Sequence, residues 1–190
     1  MRSILESPWR ATALGVALTA AATVVAMVAT ASAFDATTAW TMMVRALHLL
    51  AAMVWAGLIV FVNFVQLKAL NACAASERPV IVHQIAGPTA RVFTGAAHAT
   101  LATGAIMLLP IGADVAHRIV LTLAVAGGVA MWVIVQFILR PNVARVTGMA
   151  VASDTEKAAA RRAIATWARV NLVLVVPVTV AMLVAAHTGL

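Results

Sequence analysis

The chain has 190 residues, of which 64% are hydrophobic and 10% are charged, and its mean hydropathy is +1.03. These values exclude an ordinary soluble globular domain and indicate an integral membrane protein. The net charge of +7 does not indicate a nucleic-acid partner, because membrane proteins collect basic residues in cytoplasmic loops and beside anionic lipid.

Five apolar segments follow one another along the chain, each long enough to cross a hydrocarbon core of about 30 Å. They run approximately over residues 11 to 33, 40 to 67, 89 to 110, 117 to 139 and 164 to 187. None shows the alternation of a barrel strand, so all five are predicted to be helices. The predicted fold is an all-α polytopic membrane protein. A four-helix transmembrane bundle in residues 39–190 follows an N-terminal membrane helix in residues 1–38.

The first segment has some features of a secretory signal. Arg2 and Arg10 precede the apolar run, and Ala31-Ser32-Ala33 follows it like a signal-peptidase site. Its run of about 21 apolar residues is longer than the usual signal-peptide core of about 7 to 15. We expect an uncleaved membrane helix, with a cleaved signal as the alternative.

The last segment is predicted to begin well before its apolar part. Ser153 is followed three residues later by Glu156, which is the spacing of a capping box. A helix that opens there continues into the apolar run that ends near His187. Pro177 lies inside this run and is expected to kink it.

Basic residues near the segment ends predict the orientation of the chain in the membrane. Lysines and arginines are concentrated before the first segment and in the second and fourth connections, whereas the other connections carry Asp35 and Asp114. We expect the basic regions on the cytoplasmic side of a bacterial inner membrane. This orientation places the N-terminus in the cytoplasm and the C-terminus in the periplasm.

Polar residues share one face on each of two segments, at the helical spacing of about 100° per residue. On the second segment this face carries Arg45, His48, Trp55, Asn63 and Gln66. On the third segment it carries Arg91, Thr94 and His98. Because ionisable side chains at membrane depth avoid lipid, we expect the two faces to meet across the interior of the bundle.

Three roles are open for His48 and His98. They can simply hydrogen-bond within the bundle. They can hold a haem b between facing helices, because neutral imidazoles bind iron. They can bind copper together with some of the nine methionines, because thioethers select Cu(I). Covalent attachment of haem is excluded, since Cys73 is the single cysteine and no Cys-x-x-Cys-His motif exists.

The order of several short motifs resembles a known membrane family. His48 is followed by Trp55-Ala56-Gly57 and then by Phe61-Val62-Asn63-Phe64-Val65-Gln66. Later motifs follow in the order His98 with Thr103-Gly104, Pro141-Asn142, Arg161-Arg162, Arg169-Val170-Asn171, Pro177, Met182 and Ala185-Ala186-His187. Over residues 40–187 this order is similar to the membrane domain of the bacterial membrane-bound urate oxidase (urate hydroxylase) family. The opening helix is also similar to that of the copper resistance D family and of the small haem-binding protoporphyrinogen oxidase family.

The resemblance implies a four-helix membrane redox module in which His48, His98 and His187 are the functional histidines. Full-length urate oxidases of this type are expected to carry a C-terminal cytochrome c domain, whereas this chain reaches Leu190 without the haem-attachment motif. Ala168 and Val175 stand where the family has serines. We therefore expect urate oxidase-like activity only together with a partner.

The leading hypothesis is a membrane-embedded b-type haem module that passes electrons to a separate cytochrome c or to a larger respiratory complex. His48 and His98 would be the axial ligands, and His187 an alternative ligand or a proton group at the outer side. Trp55 would pack against the haem ring. Arginines would bind the haem propionates, because a guanidinium group contacts a carboxylate through two hydrogen bonds. The candidates are Arg45, Arg91 and Arg169. The alternatives are a copper-binding or copper-transport protein and a structural accessory subunit of a membrane complex.

Overall fold

The computed structural model of the protein describes residues 7–29, 36–74, 76–108 and 115–188. All regular structure in these ranges is helical, which confirms the all-α prediction. The helices are α1 Pro8–Ala29, α2 Ala36–Phe61, α3 Leu67–Ala72, α4 Arg78–Ile81, α5 Gly87–Met107, α6 Val115–Val133, α7 Arg140–Val146 and α8 Asp154–Thr188. The Ala31-Ser32-Ala33 motif lies outside the described residues.

Contacts divide the chain into two units, Met1–Met43 and Val44–Leu190. The boundary falls inside α2, so the first unit holds α1 and about two turns of α2. The second unit holds the remainder of α2 and all later helices. Every polar site described below lies within the second unit.

Among the described residues, three helical stretches are long and apolar enough to cross a membrane: Thr37–Ala72, Ile119–Val146 and Asp154–His187. Many of their large apolar side chains are exposed, among them Leu50, Leu123 and Val173, which suits contact with lipid. These stretches are consistent with a multi-pass membrane protein. The predicted count of four spans plus an N-terminal one is not confirmed. The predicted third span corresponds to α5, a comparatively polar helix that carries Arg91, His98 and several threonines.

The hydrophobic core of the second unit draws on several helices. Trp55 and Ile59 come from α2, and Phe93, Ala96 and Ala97 come from α5. Met131, Ile134, Val135 and Leu139 come from α6 and the segment after it, and side chains of α8 such as Trp167 and Val178 pack against them. The small residues of α5 allow the helices to approach closely, as is common between membrane helices.

In the part of the chain that the structure describes, three π-helical segments interrupt the helices, at Val62–Gln66, Val82–Ala86 and Ile134–Leu139. In each, a backbone N–H bonds to the carbonyl five residues earlier, for example Leu67 to Val62. Two of the segments end two residues before a proline, and Pro88 and Pro141 lack the N–H that an α-helix would use there. Segments of this kind are frequent at functional sites.

The start of α8 confirms the predicted capping box. The amide and the hydroxyl of Ser153 both donate to the carboxylate of Glu156 at 2.8 Å, and the Glu156 amide donates back to the Ser153 hydroxyl at 3.3 Å. The helix then continues through Pro177 to Thr188. Its face from Lys157 to Asn171 forms one wall of the site described next.

Candidate functional site

His48 joins α2 to α5 through its imidazole. Its Nδ1 lies 3.0 Å from the carbonyl oxygen of Thr100 and 3.1 Å from the hydroxyl of Thr103. A carbonyl oxygen can only accept, so Nδ1 carries the proton and Nε2 keeps a lone pair. A Cβ placed at Gly104 would lie 3.1 Å from Cε1 of His48, so glycine at this position gives the ring its room. The histidine therefore has hydrogen-bond partners inside the unit, which is one of the three roles that the sequence leaves open.

His98 lies on a different face of α5. Its Nδ1 donates to the carbonyl of Thr94 in its own helix at 2.7 Å, and its exposed ring meets Trp132 edge-on at a centroid distance of 5.8 Å. At about 100° per residue, His98 is separated around the helix by about 160° from Thr100 and by about 120° from Gly104. The two histidines thus do not face one another across the interior.

The expectation that His48 and His98 face one another failed because a different face of α5 packs into the interior. The helical wheel assigns the polar face to the interior, whereas the structure buries Phe93, Ala96 and Ala97 instead. The small alanines allow close packing, and the bond from His98 to Thr94 satisfies the imidazole without help from another helix.

The other predicted site residues are spread over the unit. His187 is exposed and donates from Nδ1 to the carbonyl of Leu183 at 2.7 Å. Trp55 is 5% exposed and belongs to the hydrophobic core, and its Nε1 has no hydrogen-bond partner among the described residues. Arg45 and Arg91 are exposed, and Arg169 lines a cavity at the other end of the unit.

Where the structure describes the chain, no three His, Cys, Asp or Glu side chains come together closely enough to hold a metal ion. A haem iron needs fewer protein ligands than such a group of three side chains provides, because the porphyrin supplies the other ligands. His48, His98 and His187 each have the arrangement typical of a metal-binding histidine, with Nδ1–H held by a backbone carbonyl and Nε2 available. The pairing of His48 and His98 on one haem stays a prediction, since the ring of His48 contacts Thr100 and Thr103 whereas that of His98 contacts Thr94 and Trp132.

A cavity of about 610 Å³ lies at the opposite end of the unit from His48, among the basic helix ends. Its volume is within the range of about 300 to 1,000 Å³ that is usual for small-molecule sites. Apolar side chains such as Ile59, Phe93, Val135 and Leu139 form much of its wall. The cavity is therefore large enough for an organic molecule.

All charged side chains that line the cavity in the described part of the chain are basic. They are Arg78, Arg140, Lys157, Arg161 and Arg169, and the exposed His83 lies with them. Lys157 is half-buried, whereas the four arginines are exposed at the cavity mouth. Since the described lining contains no carboxylate to neutralise them, these groups attract anions.

Buried amides line the inner part of the same cavity. Asn171 is 0% exposed, and neither its Oδ1 nor its Nδ2 has a hydrogen-bond partner among the described residues. The Oε1 of Gln66 and the Oδ1 of Asn63 are likewise buried without a partner in this part of the structure. Buried polar groups are nearly always hydrogen-bonded in folded proteins, so three such groups at one cavity suit a site completed by a ligand.

All three π-helical segments contribute to the cavity wall. Val62, Asn63 and Gln66 come from the first, His83 from the second, and Val135 and Leu139 from the third. The sequence did not reveal this cavity, because the wall is assembled from segments that are far apart in the chain. A polar residue inside the apolar run of α8, Asn171, was the signal that could have indicated it.

No family model, no curated protein and no solved structure matches the chain. The function of the protein therefore has to be inferred from its own residues.

Proposed function

We propose that this protein binds an organic anion inside the membrane, in the cavity at the basic end of its helices. The observation that carries the proposal is Asn171, which is fully buried and lines the cavity with both side-chain polar atoms unpaired within the described structure. Such a group destabilises the fold by about 1 to 3 kcal/mol unless something bonds to it. A ligand that pairs with the amide would offset this cost.

The charge of the ligand follows from the lining of the cavity. Arg161 and Lys157 lie on the face of α8 that forms the wall, and Arg78 and Arg140 reach it from other elements. Guanidinium groups bind carboxylates and phosphates through two parallel hydrogen bonds, whereas cations would be repelled.

We extend the proposal to the topology of the chain. If α1 and α5 cross the bilayer together with the three long apolar stretches, the basic helix ends all lie on one side. From the excess of Lys and Arg we propose that this side faces the cytoplasm of a bacterial inner membrane, with the N-terminus inside and the C-terminus outside. The cavity then opens toward the cytoplasm, and soluble organic anions can enter it from that side.

The binding proposal predicts stabilisation by anions that depends on the cavity. In purified protein, organic anions should raise the melting temperature, and amines with the same carbon skeleton should not. At a ligand concentration of about 100 times Kd the added stability is about 2.7 kcal/mol. Ala165→Phe, which fills the cavity wall, should abolish this response, whereas Thr166→Phe on the neighbouring exposed position should keep it. An equal response to amines, or an unchanged response in Ala165→Phe, would contradict the proposal.

A second candidate function is electron transfer through a b-type haem, as the family resemblance implies. It is favoured by the bond between Nδ1 of His48 and the carbonyl of Thr100, which leaves Nε2 able to bind iron. Arg45, three residues earlier on α2, would bind a propionate. The iron would supply one-electron transfer to a separate cytochrome c or to another membrane subunit.

The haem proposal predicts a specific loss of colour. Protein purified from haem-replete cells should show a Soret band and a reduced α-band that disappear in His48→Ala and persist in His83→Ala, an exposed histidine at the other end of the unit. Loss in His98→Ala as well would identify the second ligand. Colourless protein that binds Cu(I) would favour the copper alternative, and colourless protein without metal that purifies only in a complex would favour an accessory subunit.

A further inference from the structure

One face of α8 changes from basic to uncharged along the length of the cavity. Lys157 and Arg161 lie on this face near the start of the helix, followed by Ala165 and Ala168 and then by Asn171. At a rise of about 1.5 Å per residue, Arg161 and Asn171 are separated by about 15 Å along the helix axis. The cavity therefore has a basic mouth and, about 15 Å further in, an uncharged polar end.

The inner end offers hydrogen-bond acceptors whose orientation is fixed. The Nδ2 of Asn63 donates to the carbonyl of Ile59 at 2.8 Å and to the carbonyl of Ala168 at 3.1 Å. Because carbonyls only accept, the amide cannot be flipped, and Oδ1 is left as an acceptor without a donor among the described residues. Because Ala168 precedes Asn171 by three residues on α8, this bond holds Asn63 about one helical turn away from Asn171.

Arg169 is the basic side chain of the lining that lies nearest to Asn171 in sequence. Its side chain is exposed, and Cα–Cβ bonds in a helix tilt toward the N-terminus, which here is the basic end of α8. The guanidinium group therefore belongs with the basic mouth. The wall at the inner end is formed by the apolar side chains of Ile59, Phe93 and Val135. Burying a charged group of the ligand there would cost free energy, so this end suits an uncharged polar group.

We infer that the ligand of this cavity is an elongated organic anion with a hydrogen-bond donor, a hydroxyl or an N–H, at the end remote from its charge. This inference rests on the proposed binding function, and it specifies the length of the ligand and the position of its polar groups. The anionic group binds Arg161 and Lys157 at the mouth, an apolar body contacts the wall, and the remote donor bonds to Oδ1 of Asn63 or Asn171. A ligand with only one polar end leaves the buried acceptors unpaired.

The test compares probes that differ in one end or in length. An extended twelve-carbon chain with bonds of about 1.5 Å spans about 14 Å, which matches the depth of the cavity. We expect ω-hydroxydodecanoate to bind the purified full-length protein about five- to tenfold more tightly than dodecanoate, since one further hydrogen bond is formed. Dodecanediol, which lacks the charge, and ω-hydroxyhexanoate, which is too short, should bind more weakly than ω-hydroxydodecanoate.

Variants separate the two ends of the cavity. Asn171→Ala, which leaves space, and Asn171→Leu, which fills it, should both lower the preference for the hydroxylated probe toward onefold. Arg161→Gln should weaken dodecanoate and ω-hydroxydodecanoate by the same factor and keep the preference, and Arg162→Gln, on an exposed neighbour outside the lining, should change neither.

The outcomes distinguish the two proposals. Equal affinity for dodecanoate and ω-hydroxydodecanoate, or a preference that survives both Asn171 variants, overturns the inference while anion binding stands. Absence of binding by every anion in the wild-type protein overturns the proposed function itself.

Discussion

Replacing Asn171 with leucine should raise the melting temperature of the ligand-free protein. Asn171 is 0% exposed and its amide has no partner in the described residues, so the wild-type chain carries the cost of a buried unpaired polar group. That cost is about 1 to 3 kcal/mol, and leucine removes it while adding apolar contacts to Val135 and Ile59 at the same wall. For a chain of this size each kcal/mol corresponds to about 2 to 4 °C in melting temperature.

Asn63→Leu is the matched variant and should have the opposite effect. The Nδ2 of Asn63 donates to the carbonyls of Ile59 and Ala168, and the second bond ties the first π-helical segment to α8. Losing both bonds should cost about 1 to 3 kcal/mol. Thermal unfolding of the two variants in the same detergent checks the pair. A melting temperature of Asn171→Leu below that of the wild type would mean that the amide is already satisfied without a ligand.

Gly127→Ala and Gly128→Ala should change stability in opposite directions although the glycines are adjacent. A Cβ at Gly127 would lie 2.5 Å from Cγ2 of Val178, where α6 packs against α8. Valine has few alternative rotamers in a helix, so the two helices must separate. Overpacking of this kind costs about 1 to 3 kcal/mol.

At Gly128 no atom lies within 4 Å of the added Cβ. Alanine there should stabilise the protein by up to about 1 kcal/mol, because alanine favours the helix more than glycine does. Thermal unfolding of both variants, with helix content measured by circular dichroism, checks the prediction. A stable Gly127→Ala protein would show that α6 and α8 are less tightly packed than the structure indicates.

Local signals in the sequence were sufficient for the helical class of the fold and for the start of α8. The spacing of Ser153 and Glu156 predicted the start of α8, and the length of the apolar runs predicted that they are helical. A histidine inside an apolar run also indicated an interior partner, and His48 has one in Thr100. Each of these features depends on residues close together in the chain or on a general cost of burial.

The orientation of α5 could not be predicted in the same way. A helical wheel shows which residues share a face, and His98 does share one with Arg91, but it does not show which face packs inward. In α5 the small residues Ala96 and Ala97 decided this, because they allow closer helix packing than the polar face does.

The cavity was missed for a related reason. A helical wheel placed Asn63 and Gln66 on the face of His48, and these two residues do face inward, since Gln66 is buried and Asn63 donates to the carbonyl of Ala168 on α8. A wheel does not show which helix lies opposite that face. The position of Asn171 opposite them depends on the packing of distant segments.

The three π-helical segments also bear on how the length of the chain can vary. Each hydrogen-bonded ring in such a segment encloses one residue more than the ring of an α-helix does. A single-residue deletion in Val62–Gln66 would therefore restore regular α-helical geometry rather than break the helix. Insertions and deletions at these three places are thus a route by which related chains could reshape the cavity without disturbing the membrane-facing surfaces.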